Sequence, residues 1–162
     1  SLIEIDSKEG KISFLNRIRK FVKSSFNINA NKFAEKLCNK LDVKIEGLSN
    51  DGPLDKKISW AQIKKERFNE LLSFGGHSHS HSILSYLSKE SLAFELDTSL
   101  NLLKEKGGLE TIHYSYPEGL ENCYSQNVID QLLKRGVRCC PTAIEGTNKS
   151  STNPFHYRRI IV

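Results

Sequence analysis

Methionine is absent from the sequence, tryptophan occurs once, and proline only four times in 162 residues. A translated chain starts on Met, so one that opens on Ser1 reads as a processed product or a piece of a longer protein. No apolar run reaches the roughly 20 residues that a membrane-spanning helix needs, and no secretory leader pattern is visible. The four cysteines, Cys38, Cys123, Cys139 and Cys140, contain no C-x-x-C spacing, which makes a zinc-knuckle reading weak. The vicinal pair Cys139-Cys140 is poorly placed to bridge within itself, so four free thiols are expected. That usage leans towards a reducing, cytoplasmic compartment and leaves the cell envelope open. The net charge of +5 is spread among acids, as around Lys64, Lys65 and Arg67, rather than gathered on one face. A nucleic-acid interface would need a concentrated basic patch with interleaved aromatics, and none is present. There is no internal repeat and no low-complexity tract.

The chain has the length of one domain, with an ordinary globular balance of 38% hydrophobic and 27% charged residues. Phe14, Ile18, Phe21 and Val22 give residues 11–23 a helical period, and Phe33, Leu37 and Leu41 do the same for 31–42, with Asn29 or Asn31 as its cap. A polar stretch, GLSNDGPLDKK at 47–57, carries a turn signal at Asn50-Asp51-Gly52 and marks the boundary of a helical N-terminal part, residues 1–56. From residue 57 onwards helices and strands alternate. Ser59-Trp60-Ala61-Gln62 is a capping box that opens a helix with Ile63, Phe68, Leu71 and Leu72. A short strand is expected at 73–76. Leu92, Leu96, Leu100 and Leu103 define a helix after Ser88 that Gly107 and Gly108 end. Another helix spans 124–135, with Val128, Ile129, Leu132 and Leu133 inward and Gly136 as terminator. Strands are expected at 111–116, 137–142 and 157–162. This alternation predicts an α/β fold with a mainly parallel sheet, a class that places its chemistry at the carboxyl ends of strands.

At one such end stands FGGHSHSHSIL, residues 74–84, with three of the five histidines. In a strand, His77, His79 and His81 would share one face. In a helix, His77 and His81 would stack one turn apart and His79 would point away. The glycine pair ends a strand and Ser80–Leu87 resumes a helical pattern, so a strand-to-helix junction fits best. Two imidazoles one turn apart can share a cation such as Zn²⁺. Two are too few for a mononuclear site, so a third ligand must come from elsewhere.

The segment GGHSHSHSILSYLS resembles the His-(Ser/Thr)-x-x-His motif of the polysaccharide deacetylases, the carbohydrate N-deacetylases of the NodB-homology type. Ile58-Ser59-Trp60 resembles the same family's lead-in, and Tyr114-Ser115-Tyr116-Pro117-Glu118-Gly119 is similar to its third motif. Gly136 to Val162 resembles its closing stretch, ending in Pro154-Phe155 and Arg159-Ile160. The resemblance therefore runs from about residue 57 to the end. It implies the C-terminal portion of a distorted (β/α) barrel, and residues 1–56 look like a helical insertion that some members carry. It also implies that His77 and His81 hold a divalent metal, most often zinc, while His79 takes no ligand role. Tyr116, Pro117 and Glu118 would form the catalytic loop, with the Glu118 backbone N–H helping to hold the oxyanion of a tetrahedral intermediate.

The implied reaction is metal-assisted hydrolysis of an N-acetyl group on an amino sugar that is polymeric, lipid-linked or nucleotide-linked. The family's first motif, Thr-Phe-Asp-Asp-Gly, supplies its general base and third ligand, and it does not occur here. Asp51-Gly52 reads as a turn. No general-acid histidine is identifiable: His156 is late but poorly matched in context, and His113 sits on a strand beside the third motif. The resemblance thus describes a fragment of an enzyme that is inactive by itself. Two other readings stand beside it. One is a catalytically inactive metal- or glycan-binding fragment, and the other a structural domain with incidental histidines.

Overall fold

The computed structural model describes residues 5–25, 28–44 and 56–160. Two compact units divide it, Ser1–Lys57 and Ile58–Val162. The expected turn at Asn50-Asp51-Gly52 lies outside the described residues.

The first unit contains α1 (Lys8–Ser24) and α2 (Ala30–Lys40). Ser7 caps α1 by accepting from the Gly10 N–H, and Asn29, not Asn31, caps α2 by accepting from the Lys32 N–H. Phe14, Ile18 and Val22 are half-buried at helical spacing, and the rings of Phe21 and Phe33 lie 6.0 Å apart. Neither helix buries any residue fully.

In the second unit, α3 (Trp60–Glu66) starts with the expected capping box: the Gln62 N–H donates to Ser59 Oγ and the Ser59 N–H to Gln62 Oε1. The helix was expected to continue through Leu72, and it stops at Glu66. Asn69 is the physical reason. Its amide donates to Glu66 Oε2, its Oδ1 accepts from the Leu71 N–H, and the chain closes into turns that compete with helical bonding. Only Ile63 of that apolar set is buried, while Phe68 and Leu71 are 81% and 91% exposed.

Helix α4 (Lys89–Gly107) is capped by Ser88. It ends where Gly108 takes a left-handed φ of 66° and the Leu109 N–H reaches back to the Leu103 carbonyl. Helix α5 (Gln126–Lys134) is capped by Ser125 and followed by Gly136 at φ 81°. Val128, Ile129 and Leu132 face inward, whereas Leu133, expected with them, is half exposed because it lies a further 100° round the helix.

The expected strands prove to be short extended segments joined by isolated parallel bridges, Gly76 to Tyr114 and His113 to Cys139, with a third from Glu145 to Arg159. The bonds are regular where they occur: Gly76 N–H to His113 O, Ser115 N–H to Gly76 O, and Tyr114 N–H to Cys139 O, at 2.9–3.0 Å. Among the described residues no longer strand forms, so the parallel α/β order is present without a continuous sheet. One core joins the layers: Leu84, Leu92, Leu96, Tyr114, Tyr116, Val128, Ile129, Leu132, Val137, Cys140 and Phe155. The four thiols are free. No described helix is long and apolar enough to cross a membrane.

Candidate functional site

The histidine stretch leaves the carboxyl end of the segment at 74–76, and the glycines before it are there for lack of space. A Cβ on Gly75 would lie 2.9 Å from the His113 carbonyl oxygen, and one on Gly76 would lie 2.2 Å from Tyr114 Cε2. The Tyr114 ring fills the place that a side chain at 76 would need. Its hydroxyl accepts from the Ser78 N–H at 2.7 Å and shares a 3.0 Å hydrogen bond with Ser99 of α4. Burial pushes the Tyr114 phenol up to about 12, so it stays a neutral hydrogen-bonding group.

Beyond Gly76 the chain does not enter a helix, contrary to the junction expected from sequence. Residues 77–83 are irregular, with Ser78 and His81 at left-handed φ of 58° and 61°, and a single 3₁₀ turn follows at Leu84–Tyr86. The loop nevertheless places the rings of His77 and His81 side by side, with centroids 4.8 Å apart. His79 departs from them and sets its ring edge-on to Phe94 of α4.

The state of His77 follows from its neighbours. Its Nδ1 lies 2.9 Å from the Ser115 carbonyl oxygen and 2.8 Å from Ser115 Oγ. A carbonyl only accepts, so Nδ1 carries a proton, and in the neutral ring the lone pair is then on Nε2. A partner of this kind commonly orients a metal-binding imidazole. It also joins the histidine loop to the next segment, because Ser115 precedes Tyr116.

Tyr116, Pro117 and Glu118 follow at the carboxyl end of that neighbouring segment. Tyr116 is buried, stacked on Tyr124 at 4.4 Å, and its hydroxyl donates to the Phe155 carbonyl. Burial raises its pKa far above the phenolic range. Pro117 is fully buried. Glu118 takes a left-handed φ of 60°, and Gly119 is pinned by the Ala143 N–H, which donates to its carbonyl at 2.8 Å. A Cβ on Gly119 would come within 2.6 Å of Ala143 N. The bend at 117–119 is therefore fixed from both sides, and the side chain of Tyr116 belongs to the core.

The bond from His77 to Ser115 of the third motif was not foreseen, and two participants escaped sequence reasoning altogether: Ser99 and above all Glu95. Glu95 is 6% exposed, and its carboxylate accepts from the His79 N–H, the Ser80 N–H and Ser80 Oγ at 2.6–2.8 Å. A signal was available. Glu95 and Ser99 interrupt the apolar stripe of α4 at Leu92, Leu96 and Leu103, and a polar residue on a buried face needs a partner. Beside the loop lies a cavity of about 390 Å³ lined by Trp60, Ser78, His79, Ser99, Leu102 and Leu103, among others. Of the other histidines, His156 Nδ1 pairs with the Tyr124 hydroxyl at 3.0 Å, and His113 is exposed on the middle extended segment. Among the described residues no group of three His, Cys, Asp or Glu side chains is arranged to hold a metal ion.

The sequence profile described as "Polysaccharide deacetylase" matches residues 20–140. No curated protein sequence matches the chain. Among solved structures, the Streptococcus pyogenes deacetylase PplD in complex with acetate is 23% identical, with a TM-score of 0.58 over 78% of this chain and 56% of that one. The BpsB deacetylase domain from Bordetella bronchiseptica is 18% identical, with a TM-score of 0.58 over 75% of this chain and 57% of that one. IcaB from Ammonifex degensii is 21% identical, with a TM-score of 0.53 over 80% of this chain and 61% of that one. At these identities the likeness is one of fold, and the chain spans less than two thirds of each of these structures.

Proposed function

Because the chain belongs to the polysaccharide deacetylase family, we propose that it contributes part of a hydrolase that removes N-acetyl groups from the amino sugars of a polysaccharide or glycoconjugate. The observation that carries this reading is the pairing of His77 and His81, 4.8 Å apart, with the proton of His77 committed to Ser115. These two imidazoles fit a divalent cation, Zn²⁺ first, and they supply two of its ligands. The described residues offer no third ligand to complete the set. When bound, such an ion supplies Lewis-acid polarisation of the acyl carbonyl and a lowered pKa for water.

The remaining roles belong to the chain itself. Ser115 holds the His77 tautomer. Tyr116 and Pro117, anchored in the core, set the bend from which the Glu118 backbone N–H donates to the developing oxyanion. A backbone donor serves whatever the side chain, although the carboxylate at 118 opposes nearby negative charge. No Asp-Asp pair occurs in the sequence, and on this reading another polypeptide segment brings the general base, while the third cation ligand is a further group of this chain, of that segment, or water. We extend the proposal to the fold: residues 57–162 form part of a distorted (β/α) barrel, and residues 1–56 a helical insertion.

The test is acetate release from N-acetylglucosamine oligomers, using the chain alone and a chimera that carries a Thr-Phe-Asp-Asp-Gly strand ahead of it. The chimera is expected to release acetate, and a chelator or His77→Ala is expected to abolish that release. Release that survives both would overturn the proposal. The lack of a three-ligand group among the described residues favours one second reading, a metal- or glycan-binding module without turnover. Zinc-dependent retention on an N-acetylglucosamine resin, with no acetate release by the chimera, would select it.

A further inference from the structure

The amides between the two histidines are held from one side. The Ser78 N–H donates to the Tyr114 hydroxyl, which is itself bonded to Ser99, while the His79 and Ser80 N–H groups donate to Glu95. Glu95 and Ser99 stand at i and i+4 on α4, so one face of one helix templates three consecutive residues of the loop. The loop needs such support. Ser78 and His81 both hold left-handed backbone, which costs a non-glycine residue on the order of 1 kcal/mol or more and persists only where surroundings impose it. The loop has no helical or sheet bonding of its own to impose it.

Burial of Glu95 is costly for the same helix. A carboxyl group that is 6% exposed on an otherwise apolar face is tolerated only when hydrogen bonds replace its water. Two N–H groups and one hydroxyl do so here, and all three come from the histidine loop. The dependence is therefore mutual. The carboxylate requires the loop in this conformation, and charge-assisted hydrogen bonds, among the strongest in proteins, hold it there.

We propose that Glu95 is a positioning residue that fixes the 77–81 loop before any ligand arrives, so that His77 and His81 meet a cation already paired. The affinity part of this proposal rests on the reading of those histidines as cation ligands, and the conformational part does not. Glu95 touches neither substrate nor cation. It acts through backbone amides, which is why no motif of side chains discloses it. Ser80 is the third point of the clamp, and its hydroxyl also lies 2.8 Å from Ser82 Oγ, carrying the restraint past His81.

The test uses the full chain and the near-isosteric Glu95→Gln. Without metal, NMR of the unaltered chain is expected to show low-field amide protons for His79 and Ser80, the signature of donation to a carboxylate. In Glu95→Gln these resonances should move upfield and exchange with solvent at least about tenfold faster, as charge-assisted bonds are lost. The amides of Tyr114 and Cys139, bonded within the core, should exchange as before. Zinc affinity should fall about 10- to 100-fold, the usual effect of removing support from metal ligands. Ser80→Ala, which deletes one of the three bonds and leaves the charge, should show a smaller change in both readouts. Unchanged His79 and Ser80 exchange in Glu95→Gln would overturn the proposal, as would a uniform loss of protection through the core. Failure of the unaltered chain to bind zinc would overturn the reading of the histidines, and the metal-free exchange would still decide the role of Glu95.

Discussion

Gly76 shows how much of the site depends on an atom that is not there. A Cβ would lie 2.2 Å from the Tyr114 ring, so Gly76→Ala must displace a buried aromatic whose hydroxyl holds the Ser78 amide. Overpacking of this kind costs about 1–3 kcal/mol. Urea denaturation of Gly76→Ala is expected to show a loss in that range, and a loss below about 0.5 kcal/mol would mean that the ring moves freely. The sequence displays the glycine pair but not the tyrosine 38 positions later that requires it. Spacing also marked His77 and His81 as a pair, for a reason the structure replaces. They meet because two left-handed residues fold the loop back, not because they lie one helical turn apart. Glu95 was legible only as an anomaly, a charge on an apolar helix face, since its partners are backbone groups that carry no sequence signature.

Among the elements, α4 was the most readable from sequence and α3 the least. The leucine period of α4 and its glycine stop gave its course, because burial of one stripe dominates a helix of 19 residues. In α3 the apolar period continued past the point where Asn69 diverts the backbone, and a local side-chain bond outweighed the pattern. Leu96→Ala, at a fully buried position, should cost about 2–5 kcal/mol. Leu71→Ala, at a position 91% exposed, should change stability by no more than about 0.5 kcal/mol. Comparable losses in thermal melts of the two variants would contradict the early end of α3. Helices α4 and α5 are also tied by Arg135, whose Nε and Nη2 donate to the two oxygens of Asp97 at 2.7 and 2.9 Å. That hydrogen bonding, and secondarily the attraction of the guanidinium, holds the Asp97 carboxyl below its usual range. Because the folded pKa is depressed, the contribution is present above the unfolded value near 4 and is lost as pH falls through the folded one. The Asp97 side chain is 53% exposed, so the pair is worth only about 0.5–1 kcal/mol. Asp97→Asn should lose that amount at pH 7 and match the parent chain once pH has fallen below the depressed folded pKa of Asp97. A deficit that persists unchanged at low pH would assign the loss to packing instead.

At the scale of the whole molecule, the order of helices and extended segments was legible because alternation and caps are local signals. The weakness of the sheet was not. TIHYSY has the composition of a strand, yet it makes single bridges to each neighbour, since pairing is decided by partners that its own residues do not specify. The same limit applies to the candidate site. Two imidazoles and one loop are encoded in short motifs of this chain, whereas no Asp-Asp pair that would disclose the proposed base and third ligand occurs in it. The central claim is that His77 and His81 form a cation site, and zinc titration by calorimetry tests it most directly, on the chain and on the His77→Ala, His81→Ala double variant. The account predicts one zinc per chain, with binding lost in the double variant while its melting transition is retained. Binding that the double variant keeps, or no binding by the unaltered chain, would contradict it.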